Sequence, residues 1–237
     1  MILDNPIWSA LTTIDANKNI GSDECVFTDA AIAPFIAMPT WDIQHQRMLL
    51  EKAPNNRSWY LLIADEMNFI DEFELVSSIP LYQFICPKLI LENSSSKNDS
   101  HPTHQTFEID EIVPLTNSHI NEMVALTQLT KPGPFRERTI EFGNYHGILK
   151  EGKLVAMGGE RLHLDGYTEV SAICTHPNNQ GQGYAAKITA FLTDAVLNDG
   201  KIPFLHARHD NEKAIAVYKR LGYQFRAVIN FYIIKKK

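Results

Sequence analysis

A glycine-rich loop between a strand pattern and a helix pattern is the part of this sequence best suited to chemistry. Residues 169–175 alternate and are rich in strand-forming side chains, which predicts a strand that His176-Pro177 ends. From Tyr184 onward apolar residues recur at helical spacing, so residues 180–183 precede a helix N-terminus. The amides expected to bind one anionic group there are those of Gly181, Gln182, Gly183, Tyr184 and Ala185. The loop therefore predicts a pyrophosphate site.

Two classes of nucleotide site use a loop of this kind. Gly181-x-Gly183-x-x-Ala186 matches the Rossmann dinucleotide pattern Gly-x-Gly-x-x-Gly/Ala. In a Rossmann unit, however, the first glycine follows the strand at once and the unit opens the domain. Here several polar residues intervene and the motif lies late in the chain. A coenzyme A loop is the favoured interpretation.

Two motifs in order resemble the Gcn5-related N-acetyltransferase (GNAT) superfamily. Gln180-Gly-Gln-Gly-Tyr-Ala185 is similar to its coenzyme A loop, and residues 205–223 resemble its strand, asparagine and helix ending in Tyr-x-x-x-Gly-Tyr. Residues 152–161 and Thr175-His-Pro are similar to FR47-like or glycine N-acyltransferase-like C-terminal domains. The resemblance covers residues 105–237 and implies an acyl-CoA N-acyltransferase fold with acetyl-CoA as co-substrate.

The resemblance also assigns roles on the predicted strand. By strict alternation Glu169, Ser171, Ile173 and Thr175 share one face. The backbone of Ile173, Cys174 and Thr175 is expected to line the edge where family strands separate to admit the pantetheine arm. The amide of Ile173 is the expected oxyanion donor, and Glu169 the expected general base, with a salt-bridged surface carboxylate as the alternative. Cys174 lies on the opposite face, which favours a core thiol over an acetyl-cysteine.

In the second motif Tyr218 occupies the family's tyrosine position. The resemblance implies that its phenol protonates the leaving thiolate. Asn211 precedes the helix and is expected to cap it and also to bind the pantetheine amide. Ala214 is placed among the coenzyme-binding positions as well. At Gln180 many members carry arginine, so one phosphate contact is expected to lack a positive charge.

Composition excludes several other classes of protein. The chain has 237 residues, 44% of them apolar, a formal charge of −6 and a pI near 5.8. The negative charge argues against general nucleic-acid or anionic-membrane binding.

Three cysteines without a Cys-x-x-Cys pair suggest neither a disulfide framework nor a zinc site. His206 and His209 lie three apart on a predicted strand and face opposite sides, so no metal is expected. Without an apolar stretch of about 18 residues or a signal pattern, a cytoplasmic protein is expected.

A polar, serine-rich tract at 92–104 predicts a linker. It would separate an N-terminal α/β domain of unknown role at 1–91 from an acetyltransferase domain at 105–237. In the resembling subgroup the first half is often a degenerate copy of the second, which implies cover for the substrate cleft or homodimer contacts. The upstream patterns predict a helix at 43–52 and strands at 59–64 and 83–91.

Downstream, the patterns predict a mixed α/β sheet with helices on its faces. The strands are expected at 107–113, 145–149, 154–162, 204–207 and 228–234, and the further helices at 117–129 and 212–221. The expected function is direct acetyl transfer from acetyl-CoA to a primary amine of a small molecule, with an amino acid as the leading acceptor. The alternatives are a non-catalytic acyl-CoA sensor and a protein or peptide N-acetyltransferase.

Overall fold

The computed structural model describes residues 1–55, 57–91 and 112–237. Its strands are β1 (Val26–Phe27), β2 (Ile36–Ala37), β3 (Ser58–Ile63), β4 (Phe73–Ile85), β5 (Ile112–Pro114), β6 (His146–Lys150), β7 (Lys153–Leu164), β8 (Tyr167–Thr175), β9 (Ile202–Arg208) and β10 (Gln224–Lys236). Its α-helices are α1 (Pro6–Leu11), α2 (Ile43–Lys52), α3 (Ile120–Thr130), α4 (Tyr184–Asn198) and α5 (Glu212–Arg220). None of these helices has the length and apolar character that crossing a bilayer requires.

Eight strands form one mixed sheet in the order β3-β10-β4-β9-β8-β7-β6-β5. β8 and β9 are parallel, as their connection through α4 requires, and the other neighbours are antiparallel. Helices α4 and α5 cover one face, whereas α1 and α3 cover the other. The expected mixed α/β sheet is confirmed.

Strand β4 comes from the N-terminal part of the chain but lies between β9 and β10. Its second half, from Leu81 to Ile85, pairs on both sides, while its first half pairs with β10 alone. Both sides of the predicted linker therefore contribute strands to one sheet. The linker itself, at 92–104, lies outside the described residues, and the division into two domains stays a prediction.

The start of β4 was not predicted, because its sequence lacks the pattern of a buried strand. Leu75 and Val76 are exposed, and Pro80 interrupts the segment. Pro80 lies opposite Asn230 of β10, in the half of β4 that has a single neighbouring strand. Proline is tolerated there because one edge of β4 has no strand that would need the missing backbone N–H. The prediction of a strand at 83–91 thus found only the end of β4.

The N-terminal segment is held to the sheet by apolar packing. Ile7 and Leu11 on α1 are fully buried against Leu162 and Leu164 of β7 and Phe204 of β9. Burying a side chain of this size stabilises by about 1.5–3 kcal/mol relative to leaving it exposed. The buried face of α1 is therefore part of the core that supports β7 and β9.

An ionic cluster also fixes this segment to β7. The ring nitrogens of His163 lie 3.2 Å from Asp15 Oδ1 and 3.2 Å from Glu160 Oε2. Burial opposes protonation of the imidazole, but the hydrogen bonds to Asp15 and Glu160 outweigh it and raise the pKa of His163 to about 9. The ring is therefore charged at neutral pH and bridges two carboxylates.

We expect this cluster to make the free energy of unfolding depend on pH. The folded pKa of about 9 exceeds the unfolded value near 6.5, so the contribution is complete below pH 6.5 and lost as pH rises through 9. His163→Gln should remove about 1–3 kcal/mol at pH 6.5 and flatten the profile up to pH 9. Urea titrations across this range measure it, with exposed His209→Gln as the control. Parallel profiles for native and His163→Gln proteins would contradict the expectation.

Candidate active site

Strands β8 and β9 separate along their length and leave a cleft. Their parallel register consists of three pairs, from Tyr167 opposite Ile202 to Glu169 opposite Phe204. Beyond Phe204, β9 continues to pair with β4 on its other edge but no longer with β8. No described strand lies beside residues 170–175 on that side of β8. The backbone edge of β8 at residues 170–175 is thus not paired by a described strand, and the binding role expected for Ile173, Cys174 and Thr175 stays a prediction.

A β-bulge at Ala172 bends β8 at the cleft. Ser171 lies opposite Gly159 and Cys174 opposite Met157, so one extra residue is accommodated on β8, and Ala172 has φ +55°. The bulge breaks the alternation of side chains. Val170 and Ile173 both pack in the cluster beneath α4, although they are three residues apart.

The expectation that Glu169 and Ile173 share one face is therefore wrong. Glu169 precedes Val170 and points to the α1 side of the sheet, whereas Ile173 points to the α4 side. The backbone of Ile173 lies within the bulge and has no register partner on β7 or β9. The Ile173 amide therefore lies at an irregular position of the hydrogen-bond ladder, at the edge of the cleft.

The loop before α4 has the backbone geometry of an anion-binding site. Gly181 and Gly183 have φ of +79° and +78°, and a Cβ at either position would meet no atom within 4 Å. Gly183 is the N-cap of α4 and supplies no side chain to the amides of the first turn. Those amides, at Tyr184 and Ala185, are therefore available together with the helix dipole. The residues present fit a pyrophosphate.

Lys150 adds a cation to this loop that the motif itself lacks. Its Nζ lies 2.8 Å from Gln182 Oε1, which also accepts a hydrogen bond from the Tyr184 hydroxyl at 2.8 Å. The ammonium also lies 5.2 Å from the centre of the Tyr184 ring. Lys150 is 32 residues before Gln182 and reaches the loop because β6 ends beside it, so no local sequence signal identifies it.

Lys150→Gln is expected to weaken coenzyme A binding about threefold to tenfold at low salt and less at high salt. A charge near a phosphate contributes modestly at an exposed site and is screened by salt. Calorimetric titration with coenzyme A at two ionic strengths measures the effect. Lys153→Gln is the matched control, because Lys153 is exposed on the same hairpin and has no contact with Gln182. Equal weakening by both substitutions would refute a specific role for Lys150.

Glu169 occupies a buried ion pair. It is 1% exposed, and its two oxygens lie 2.6 and 2.8 Å from the Arg161 guanidinium in a bidentate contact. Burial opposes ionisation, but the charge of Arg161 and the hydrogen bonds from His206 and Arg161 lower the pKa of Glu169 to about 2. The geometry therefore does not favour the predicted general base. It favours the salt-bridge alternative, with the pair inside the protein rather than on its surface.

Gln83 determines the proton position on His206. Its Oε1 accepts from Arg226 at 2.6 Å, so its amide nitrogen faces the Leu3 carbonyl and Nε2 of His206, each at 3.0 Å. An amide nitrogen can only donate, so Nε2 of His206 accepts and Nδ1 carries the proton. That proton is donated to Glu169 Oε1 at 2.7 Å. His206 thus donates from Nδ1 and belongs to the network beneath β8, while His209 contacts the Tyr82 ring.

Helix α5 brings Tyr218 to the other side of the cleft. Asn211 Oδ1 accepts from the Ala214 amide at 3.2 Å, which confirms the predicted cap. Tyr218 is 8% exposed, and burial together with the nearby Cys174 raises its pKa to about 12. The phenol is therefore protonated at neutral pH. Ala214 packs in the same cluster as Tyr218.

Cys174 is a buried thiol between α3 and the cleft. It is 6% exposed and packs among Met123, Leu126 and Met157, while burial raises its pKa to about 11. A thiol with this pKa is almost entirely protonated at neutral pH and is a poor nucleophile. The environment agrees with the core role predicted from the sequence. Its thiol also contacts the hydroxyl of Thr130 at the end of α3.

Comparison with known proteins extends these observations. Residues 145–232 match the family model of FR47-like proteins. A protein from Novosphingobium aromaticivorans, assigned to the GNAT acetyltransferases, is 26% identical and superposes with a TM-score of 0.85 over 100% of this chain and 99% of its own. A GCN5-related N-acetyltransferase from Kribbella flavida is 17% identical, with a TM-score of 0.60 over 95% and 93% of the two chains. A comparison with curated proteins finds no match.

Proposed function

We propose that this protein transfers the acetyl group of acetyl-CoA to a primary amine of a small molecule, because residues 145–232 match the FR47-like family model and the whole chain shares the fold of a GNAT-family acetyltransferase. The observation that carries this proposal is the cleft between β8 and β9, which leads to a glycine loop at the N-terminus of α4. An amino acid or a similar amine is the proposed acceptor. Transfer is direct, in a ternary complex.

The chain supplies each part of a coenzyme A site along this cleft. The amides from Gly181 to Ala185 would bind the pyrophosphate, and the bulged edge of β8 would bind the pantetheine arm. Asn211 and Ala214 at the start of α5 would contact the same arm from the opposite side. The φ values of the loop glycines and the uncapped helix support this assignment.

Two groups of the chain would act on the reacting atoms. When bound, acetyl-CoA supplies an acetyl group activated as a thioester. The Ile173 amide would donate a hydrogen bond to the acyl oxygen as negative charge develops there. Tyr218 would donate its proton to the departing sulfur as the new C–N bond forms and the C–S bond breaks. Because Glu169 is buried and ion-paired, we propose that the amine loses its proton to water in the cleft.

Free-thiol release from acetyl-CoA tests the proposal across amino acids, polyamines, aminoglycosides and short peptides. Turnover with a small amine, together with the acetylated product by mass spectrometry, is the expected result. Coenzyme binding without release from any amine would instead establish the acyl-CoA sensor. Turnover confined to peptides would establish a protein or peptide N-acetyltransferase, and failure to bind coenzyme A would overturn the proposal.

A further inference from the structure

His206 joins β9 to β8 at the point where the cleft begins. The backbone register between the two strands ends at the pair Glu169–Phe204, and His206 follows two residues later on the same face as Phe204. Its Nδ1 donates to Glu169 Oε1 at 2.7 Å, and its side chain is 4% exposed. A buried, charge-assisted hydrogen bond therefore connects the two strands where their backbone pairing ends.

Gln83, on the other strand beside β9, fixes the position of His206. The two residues are register partners, and the Gln83 amide nitrogen donates to His206 Nε2 at 3.0 Å. The same side chain donates to the Leu3 carbonyl at 3.0 Å and accepts from Arg226 at 2.6 Å. Both N–H groups and the oxygen of a fully buried amide are thus in use, which holds the imidazole in one orientation.

Side chains at both ends of this link complete its support. Arg226 also donates to Asp4 Oδ1 at 2.6 Å, which ties β10 to the N-terminal segment. On β7, Arg161 holds Glu169 through hydrogen bonds of 2.6 and 2.8 Å. A continuous series of hydrogen bonds therefore runs from Asp4 to Arg161 and crosses from β9 to β8 at His206.

The separation of β8 from β9 matters because the two groups proposed to act on the thioester lie on opposite sides of it. Ile173, whose amide would bind the acyl oxygen, is on β8, whereas β9 leads into α5, which carries Tyr218. Both groups must reach one thioester at hydrogen-bond distance, and a displacement of about 1 Å can cost about a hundredfold in rate. A link that fixes the two strands where they separate therefore affects the alignment of both groups.

We propose that His206 is a positioning residue for acetyl transfer and that Gln83 of β4 holds it in place. Through Glu169, His206 fixes β9 to β8 and so sets the distance between the Ile173 amide and the Tyr218 phenol. This inference rests on the proposed function. It gives the N-terminal part of the chain, which supplies β4, a role in the reaction.

The test compares His206→Phe, which removes the link, with His206→Asn, whose side-chain amide can donate to Glu169 from the position of Nδ1. We expect His206→Phe to lower kcat about tenfold to a hundredfold and to leave the dissociation constant of coenzyme A within about threefold. The affinity should persist because the proposed pyrophosphate site is the loop before α4. His206→Asn should recover most of the rate. Thiol release measures the rate, and calorimetry measures the affinity.

His209→Phe is the matched control, since His209 is exposed near the end of the same strand and contacts the Tyr82 ring. It should keep the native kcat. Gln83→Leu tests whether Gln83 acts through His206, and it should lower kcat by a smaller factor than His206→Phe. The variant with both His206→Phe and Gln83→Leu should be no slower than His206→Phe alone. Two factors that multiply would show that Gln83 acts independently and would overturn its assigned role.

Amide hydrogen exchange without coenzyme gives a readout that does not depend on activity. His206→Phe should accelerate about tenfold the exchange of amides that pair β8 with β9, at residues 167–169 and 202–204. Amides that pair β4 with β10 should keep their native rates. We expect the variant to remain folded, because β9 stays paired with β4 from Phe204 to Arg208.

The outcomes separate this inference from the proposed function. If the native protein acetylates amines and His206→Phe keeps its kcat, or His206→Asn is as slow as His206→Phe, the positioning role is overturned and the acetyltransferase proposal stands. If no amine is acetylated while exchange accelerates only between β8 and β9, the strand link stands and the proposed activity fails. Equal acceleration across the sheet overturns the inference whatever the activity, because it indicates general destabilisation.

Discussion

Tyr218→Phe is expected to lower kcat roughly tenfold to a thousandfold while leaving the dissociation constant of coenzyme A within about twofold. The phenol is the protonated group that α5 brings to the cleft beside Cys174, and its pKa of about 12 keeps the proton available at neutral pH. Removing one oxygen leaves the ring in its apolar cluster with Phe84 and Leu205. The rate is measured by thiol release at saturating acceptor, and the affinity by calorimetry.

Tyr223→Phe provides a matched control for this experiment. Tyr223 lies in the same cluster, with its ring centre 5.9 Å from that of Tyr218, and its hydroxyl shares a hydrogen bond of 2.7 Å with Thr193. Its substitution should lower stability by about 1 kcal/mol and leave kcat nearly unchanged. A similar loss of kcat in both variants would show that packing, not proton donation, explains the effect at Tyr218.

The second large effect is expected at the buried ion pair. Glu169→Gln should lower the free energy of unfolding by about 3–5 kcal/mol, because it leaves the buried Arg161 guanidinium without its counter-ion. The loss should be complete at neutral pH, since the native carboxylate is ionised well above its pKa of about 2. Urea denaturation of the native and substituted chains measures the difference.

A double variant distinguishes a structural role from a catalytic one. Glu169→Gln combined with Arg161→Met removes both charges and should be less destabilised than Glu169→Gln alone. If Glu169 has no part in proton transfer, kcat of either variant, measured where it is folded, should keep the native pH profile. Full stability in Glu169→Gln, with loss of the pH-dependent limb of kcat, would restore Glu169 as the general base.

Local features of the fold could be predicted from the sequence because they depend on residues that are close together along the chain. Helix α2 was predicted with its observed bounds, and α4 begins at Tyr184 as its apolar spacing predicted. Asp42 and Asn211 cap their helices through backbone amides three residues on, which is an interaction contained in a few residues. The positive φ of Gly181 and Gly183 follows in the same way from glycine's lack of a Cβ.

The sequence alone thus determined the mixed fold, the glycine loop at a helix N-terminus and the position of the two motifs. Only the tertiary structure decided the insertion of β4 beside β9, the bulge at Ala172, and the approach of Lys150 to Gln182. It also decided that Glu169 meets Arg161 and His206 inside the protein. Periodicity, proline and glycine act within a few residues, whereas these features depend on which distant strands pair and on a register that one extra residue can shift.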